Sequence, residues 1–259
     1  VWAAIRPESN RRKLESQGVR LVEVDYSDEH HLTEMLRAVI PPTLGQEPMW
    51  HYVIHNAGIT KTARTEEFQE VNAEQTRRLL AALSALPTPP LRFVLMSSMS
   101  SYGDSNGSEA PLRVEDEQHP HTLYGRSKCL AEHYTEQSGL PYTLLLPTGV
   151  YGPGDADYLM SIQGIARGIN AMAGCKTQYL TFVYGEDVAR AALFVLTQPE
   201  AVYCRRRGHL YRSRVWSYSA APHRAQARPP YPYSTPSGTP RLRLWLDEGT
   251  PHRSGYPPQ

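Results

Sequence analysis

The stretch LRFVLMSSMSSYG, residues 91–103, decides the fold. Its first half is a short apolar run, and its second half is a serine-rich segment that ends in glycine. A buried strand shows this abrupt change where it reaches the rim of a sheet. The stretch therefore predicts a core strand with a serine turn at its carboxyl end.

A tyrosine and a lysine follow this turn at helical spacing. Tyr124 and Lys128 begin a periodic segment that stops at Gly139 and Pro141. Residues one helical turn apart share a face of the helix. An ammonium beside a phenol favours the phenolate, so we expect Lys128 to lower the pKa of Tyr124 towards the working range of a general acid or base. A serine hydroxyl from the strand end would hold the substrate oxygen between them.

Elsewhere, short apolar segments alternate with helical ones. Strands are predicted at 1–5, 19–24, 51–54 and 142–146, and helices at 11–17, 29–39, 66–86, 158–174 and from 187 onward. We expect Asp187 to cap the last of these helices. Strands that alternate with helices of this length predict a parallel, doubly wound sheet.

Together these features resemble the short-chain dehydrogenase/reductase superfamily, and specifically its extended branch of NAD(P)-dependent epimerases and dehydratases. That branch has a Ser-Ser-x-x-x-Tyr-Gly segment, here at 97–103, and a helix with Tyr-x-x-x-Lys, here at 124–128. The resemblance implies a Rossmann-like α/β fold. It also implies that Ser98, Tyr124 and Lys128 are the catalytic residues.

The resemblance further implies contacts with a bound cofactor. In the family an acidic residue after the third strand contacts the adenine, and small residues after the fourth strand let the backbone lie against the cofactor. A Pro-x-x-Val-Tyr-Gly-Pro-Gly-Asp loop, here at 147–155, passes the nicotinamide. The implied contacts are Arg6, Asp25, His55, Asn56, Ala57, Gly58, Tyr124, Lys128, Pro147, Thr148 and Val150.

Two of these contacts leave alternatives open. In the family a basic residue at the place of Arg6 suits the 2′-phosphate of NADP, whereas an acidic residue holds the ribose 2′-hydroxyl of NAD. Arg6 therefore favours NADP, although an exposed arginine after a strand needs no such role. Asp25 has the alternative of an ordinary turn-forming or helix-capping residue.

The family's glycine-rich turn, Gly-x-x-Gly-x-x-Gly, occurs nowhere in the 259 residues. That turn places backbone N–H groups and a helix N-terminus against the pyrophosphate. The first strand, which precedes it, is central in the order 3-2-1-4-5-6, so a sheet without this strand splits. We therefore expect an N-terminally truncated chain in which residues 1–146 form a Rossmann-like domain lacking its first strand and bind cofactor poorly.

The rest of the chain falls into two predicted regions. Residues 147–203 are expected to form an incomplete substrate lobe. Residues 204–259 are rich in Arg, Pro and Ser and have no periodicity. We interpret this last region as the product of a shifted reading frame, with a disordered basic tail that binds nucleic acid or a partner as the alternative.

Composition narrows the class of protein. The net charge of +1 gives no reason to expect a nucleic-acid partner. The three cysteines lack metal-ligand spacing, so we predict a reduced, cytoplasmic protein without a metal site. No apolar run approaches the roughly 20 residues of a membrane span, so no membrane partner is expected.

The resemblance finally implies the activity. It implies an enzyme that oxidises or reduces a carbinol carbon of a nucleotide-linked sugar by hydride transfer, with NAD or NADP as cofactor. A carbonyl reductase of the dihydroflavonol or hydroxysteroid type is the alternative within the enzymes. A cofactor-sensing protein on the same fold and an inactive fragment are the others. Relatives often form homodimers through the helices that include residues 124–138.

Overall fold

The structure, a computed structural model, describes residues 1–7, 9, 11–39, 48–103, 112–113, 115–168 and 180–198. All of these lie in the first of two units into which the chain divides, Val1–Pro222. The strands are β1 (Trp2–Ile5), β2 (Arg20–Glu23), β3 (Tyr52–His55), β4 (Arg92–Met96), β5 (Tyr142–Leu145), β6 (Gly149–Tyr151) and β7 (Phe182–Tyr184). The α-helices are α1 (Arg12–Glu15), α2 (Glu29–Val39), α3 (Glu66–Gln69), α4 (Gln75–Ser84), α5 (Leu123–Gln137), α6 (Asp157–Ala166) and α7 (Gly185–Thr197).

The described strands form three parallel sheets. In the first, β1 pairs with β2, with Trp2 opposite Arg20; in the second, the order is β3-β4-β5, with Phe93 opposite both Val53 and Tyr142. In the third, β6 pairs with β7. The first two sheets are what the strand order 3-2-1-4-5-6 gives without its first strand. The predicted Rossmann-like α/β fold is confirmed.

Strand β4 lies at the centre of the core. Phe93 and Leu95 pack in a cluster with α2, α4 and α5, for example on Leu32 and Leu83. Val94 points to the other face, where it packs with Ala192 and Val195 of α7 and with Leu145 of β5. Because successive side chains of a strand point to opposite faces, β4 carries helices on both sides. The continuous apolar run at 91–96 reflects this double burial.

Helix α7 is tied to the same strand by a buried charge. The guanidinium of Arg92 donates hydrogen bonds to the carbonyl oxygens of Val195 and Gln198, the second at 2.9 Å. A cation at this end of a helix meets the negative pole of its macrodipole. Arg92 therefore fixes the carboxyl end of α7 against the sheet.

Several elements differ from the prediction. The helix predicted at 66–86 is α3 and α4 joined by a π-helical turn, Glu70–Glu74. The pair β6–β7 was not predicted, and α6 ends at Ala166. The predicted cap at Asp187 is wrong: α7 begins at Gly185, its N-cap is Tyr184, and Asp187 lies inside the first turn. A carboxylate in the first turn still favours the helix dipole.

The remaining predictions concern membrane spans, the C-terminal tail and the domain boundaries. In the part of the chain that the structure describes, no helix combines the length and the apolarity that a membrane span needs. The proposed tail, residues 204–259, lies outside the described residues, and the domain boundaries at 146 and 203 stay predictions.

Candidate active site

The serine segment forms a tight turn at the carboxyl end of β4. Ser97 is buried and continues the strand pairing by donating its N–H to the carbonyl of Leu145 at 2.8 Å. Ser98 then caps a short 3₁₀ turn, Met99–Ser101, by accepting the N–H of Ser100 on its Oγ at 3.2 Å. The turn is held from the next strand connection as well, because Met99 N–H donates to the carbonyl of Pro147 at 3.1 Å.

Helix α5 begins beside this turn. Thr122 is its N-cap, and the Thr122 hydroxyl accepts the N–H of Gly125 at 2.9 Å. Gly125 lies against the serine turn: a Cβ atom on it would be 2.3 Å from the carbonyl oxygen of Ser100. A helix residue with a side chain could not approach this closely. Glycine at 125 therefore lets the preceding residue, Tyr124, reach the serine turn.

The structure places Ser98 near enough to Tyr124 for its side chain to act on the phenol. The ring of Tyr124 also makes an edge contact with Phe68, with ring centroids 6.3 Å apart. Burial raises the pKa of the Tyr124 phenol, the Ser98 side chain lowers it, and the nearby Tyr158 raises it. Burial is the largest of these effects, so the pKa stays above its ordinary value.

Lys128 is buried on the same helix and points towards the same strand end. Its side chain is only 6% exposed, and its Nζ donates to the carbonyl oxygen of Met96 at 2.9 Å. Burial lowers the pKa of Lys128 to about 8, against the opposing effect of Glu132. We expected Lys128 to lower the pKa of Tyr124, but the net direction is upward because burial of the phenol dominates.

The turn after β3 approaches Lys128 from the other side. A Cβ atom on Gly58 would lie 2.8 Å from Asn72 Oδ1 and 3.3 Å from Lys128 Nζ. Asn72, on the π-helical turn, fixes this backbone: its Oδ1 accepts Ile59 N–H at 2.8 Å and its Nδ2 donates to Ile59 O at 3.0 Å. The same Nδ2 donates to Ser127 Oγ on α5 at 3.0 Å. Asn72 thus joins the turn to the helix that carries Tyr124 and Lys128.

His55 differs from its neighbours in this turn. Its side chain is buried, pairs with Thr76 Oγ1 at 3.0 Å and lies between the rings of Tyr26 and Phe93. Burial, followed by the charge of Lys128, lowers the pKa of His55 to about 4, so the ring is neutral. Any contact of His55 with a cofactor would therefore be through its backbone. Asn56, Ala57 and Gly58, by contrast, are exposed.

Arg6 and Asp25 follow the carboxyl ends of β1 and β2. Arg6 is exposed, and its N–H donates to Ser9 Oγ at 3.1 Å. Asp25 accepts the N–H of Ser27 on Oδ1 at 2.8 Å, a bond that lowers the pKa of its carboxyl. Asp25 therefore has the turn-forming role that was its alternative. The cofactor contacts of both residues stay predictions.

The connection after β5 lies next to the serine turn. Pro147 accepts the bond from Met99, and Val150 is partly exposed on β6. The hydroxyl oxygen of Thr148 is buried and has no hydrogen-bond partner within the described residues. A buried hydroxyl without a partner is uncommon and fits a position that a polar group of a ligand completes.

Sequence reasoning missed Glu132, which lies one turn beyond Lys128. Only 4% of Glu132 is exposed, and its carboxylate accepts hydrogen bonds from Ser97 Oγ and, at 2.7 Å, from Gln118 Nε2. The available signal was its position: an acidic residue four places after Lys128 lies on the buried face of the same helix.

A model of the NAD dependent epimerase/dehydratase family matches residues 1–207. The chain belongs to this family. The match covers the serine turn, the Tyr124–Lys128 helix and the described strands. The residues of the candidate site therefore lie within the matched region. The resemblance inferred from the sequence motifs is confirmed.

Individual relatives match part of the chain. It is 31% identical over 116 residues to UDP-glucose 4-epimerase of Vibrio cholerae, a match of 43% of this chain and 35% of that protein. It is 27% identical over 136 residues to ceramide reductase of Caulobacter vibrioides (strain NA1000 / CB15N), which is 52% of this chain and 37% of that protein. The chain therefore spans little more than a third of these relatives.

A solved structure of the same fold agrees with this assignment. MoeE5 in complex with UDP-glucose and NAD is 25% identical to this chain and superposes with a TM-score of 0.58. The superposition covers 77% of this chain and 64% of MoeE5. The parallel sheets and flanking helices of this chain thus follow a known Rossmann-fold arrangement.

Proposed function

We propose that this chain carries the hydride-transfer site of an NAD-dependent epimerase or dehydratase that acts on a nucleotide-linked sugar. The observation that carries the proposal is the position of Lys128, which is buried on α5 with its Nζ 2.9 Å from the carbonyl oxygen of Met96, two residues before Ser98. Tyr124 lies one helical turn before Lys128 on the same helix. The substrate class is suggested by the relatives, which include a UDP-glucose 4-epimerase and a structure that holds UDP-glucose and NAD.

In the proposed reaction Tyr124 exchanges the proton of a substrate hydroxyl. During oxidation the phenolate takes the hydroxyl proton as the carbon gives up a hydride; during reduction the phenol returns the proton to the carbonyl oxygen. The raised pKa of Tyr124 keeps it protonated near neutral pH, which suits the second step. A hydrogen bond donated by Ser98 would stabilise the phenolate that the first step needs.

Ser98 and Lys128 have supporting roles in this proposal. The Ser98 hydroxyl, at the start of the turn that follows β4, would donate to the developing carbonyl oxygen of the substrate. The Lys128 ammonium would bind the ribose hydroxyls beside the nicotinamide while it keeps its bond to Met96 O. Because its pKa is about 8, a large share of Lys128 is still protonated at neutral pH.

The residues around this site fit a nicotinamide cofactor. Gly58 has no side chain between Lys128 and Asn72, and the buried Thr148 hydroxyl has no partner among the described residues. The nicotinamide end of the cofactor would be held by Lys128, Gly58, Pro147, Thr148 and Val150. The remainder of the cofactor would be held by Arg6, Asp25, Asn56, Ala57 and the backbone of His55. When bound, the cofactor accepts and returns the hydride.

A carbonyl reductase is the second candidate. Two observations favour it: the 27% identity to ceramide reductase, and Arg6 after β1, where a basic residue suits NADP. Such an enzyme would use the same Ser98, Tyr124 and Lys128 in the reducing direction only, and it would exchange its cofactor in every turnover.

The two candidates are separated by the fate of the cofactor. The purified protein is incubated with UDP-glucose and NAD, and the epimeric sugar is measured by chromatography. In parallel, the protein is tested for oxidation of added NADPH by a carbonyl substrate. The proposal predicts that the sugar is converted, by epimerisation or by loss of water, without net change of the NAD; the same chromatography resolves both products. Net NADPH oxidation without conversion of the sugar would support the reductase, and inactivity in both assays would support the inactive fragment.

A further inference from the structure

Glu132 is a buried carboxylate that joins three segments next to the proposed site. One oxygen accepts a hydrogen bond from Ser97 Oγ at the end of β4. The other accepts from Gln118 Nε2 at 2.7 Å, in the segment before α5. Gln118 Nε2 also lies 3.1 Å from Ser101 Oγ, whose hydroxyl in turn donates to Ser98 O at 2.9 Å. Every one of these bonds ends on the serine turn or on a residue that contacts it.

Stabilisation of the core by packing does not explain why residue 132 is a glutamate. Burying a carboxylate costs more than burying an apolar side chain of the same size, and the cost is recovered only when its hydrogen bonds are complete. Burial raises the pKa of Glu132 above its ordinary value; the bonds from Ser97, Gln118 and Ser101 lower it but do not outweigh the burial. The hydrogen bonds of the Glu132 carboxylate, rather than its packing, therefore hold the neighbouring segments together.

We propose that Glu132 is a positioning residue, which locks the serine turn against α5 so that Ser98 meets Tyr124. Glu132 acts through Ser97 and Gln118 and touches no reacting group itself. The inference rests on the proposed function of Ser98, Tyr124 and Lys128.

Glu132 also acts on Lys128 through its charge. The two residues are one turn apart on α5, and the charge of Glu132 opposes the effect of burial on the lysine. Among the described residues, His55 of β3 interacts electrostatically with Lys128, and Tyr102, Cys129 and Glu136 interact electrostatically with Glu132. Removal of the charge of Glu132 should therefore lower the pKa of Lys128 below about 8.

Two substitutions separate the hydrogen bonds from the charge. Glu132→Gln keeps an acceptor for Gln118 and offers a donor to Ser97, but it is neutral. Glu132→Ala removes the bonds and the charge. Glu136→Gln, one turn further on the same helix, is the matched control for loss of charge.

The first measurement is hydrogen exchange of backbone amides in residues 97–103, which needs no activity. Glu132→Ala is expected to speed this exchange about tenfold, whereas Glu132→Gln and Glu136→Gln stay within about threefold of the unsubstituted protein. If Glu132→Ala leaves the exchange of these amides unchanged, or speeds exchange equally throughout the chain, Glu132 does not position the turn.

The second measurement is the pH profile of kcat/KM. Glu132→Ala should lower kcat about tenfold or more with KM within about threefold. Glu132→Gln should move the alkaline limb of the profile to lower pH, whereas a merely structural change would lower the whole profile by one factor. A Glu132→Gln profile that superposes on that of the unsubstituted protein would overturn the charge effect. Failure of the proposed function would appear separately, as full turnover in Tyr124→Phe, and the exchange result would still decide the role of Glu132.

Discussion

Gly125 lies so close to Ser100 that a Cβ atom on it would be 2.3 Å from the Ser100 carbonyl oxygen. Real Cβ atoms do not approach a backbone oxygen to this distance, so any side chain here forces the helix or the turn to move. The spacing between α5 and the serine turn is therefore set by the absence of a side chain at 125. The approach of Tyr124 to Ser98 depends on that spacing.

The first prediction concerns this contact. Gly125→Ala should lower the free energy of unfolding by about 1–3 kcal/mol, because the added methyl overpacks a closed contact. Turnover should fall further than stability explains, since Tyr124 is displaced from Ser98. Urea unfolding and steady-state kinetics measure the two effects. Arg126→Ala, at the next and exposed position, should change stability by no more than about 0.5 kcal/mol. Equal behaviour of the two variants would contradict the role of Gly125.

The second prediction concerns Asn72. Asn72→Ala leaves the N–H and the carbonyl of Ile59 without their side-chain partner and should cost about 2–4 kcal/mol in the free energy of unfolding. Cofactor affinity should fall as well, because the turn that contains Gly58 loses its connection to α5. Thermal unfolding and a cofactor titration test both effects. Gln69→Ala, exposed on the preceding helix, is the control and should match the unsubstituted protein.

The third prediction concerns the pH dependence of stability. In the folded protein the pKa of His55 is about 4, below its ordinary value of 6.5, so the fold favours the neutral ring. The corresponding stability is complete above about pH 6.5 and is lost as the pH falls towards 4, by about 3 kcal/mol at most. His55→Gln keeps a hydrogen-bonding group for Thr76 and does not titrate.

This prediction is measured by urea unfolding at pH 7 and pH 4.5. The unsubstituted protein should lose about 2–3 kcal/mol more than His55→Gln over this range, since acidic groups titrate alike in both. His133→Gln, at an exposed histidine, should follow the unsubstituted protein. An equal loss in the free energy of unfolding in all three proteins would show that His55 does not contribute to the pH dependence of stability.

The sequence predicted the fold well where one physical signal dominates. The apolar run at 91–96 predicted β4 because a strand buried on both faces has no polar positions. The stop at Gly139 and the spacing of Tyr124 and Lys128 predicted α5. The split between β1–β2 and β3–β4–β5 followed from the family's strand order and the absence of the glycine-rich turn.

Other features depend on tertiary contacts that no local pattern encodes. The π-helical turn carries Asn72, whose amide contacts both Ile59 and Ser127, and these partners lie far from it in sequence. The pKa of Tyr124 depends on how deeply the ring is buried, and for that reason the expected direction was wrong. In the sequence Glu132 is an ordinary charged helix residue. Its role becomes visible only in the folded protein, where it accepts a hydrogen bond from Ser97.

The central claim is that Tyr124 moves the proton that accompanies hydride transfer. The direct measurement is the single-turnover rate of hydride transfer in Tyr124→Phe, followed by nicotinamide absorbance, with Tyr134→Phe on the same helix as the control. The account predicts a loss of about 10²–10⁴-fold in Tyr124→Phe and an unchanged rate in Tyr134→Phe. Hydride transfer in Tyr124→Phe at the rate of the unsubstituted protein would contradict it.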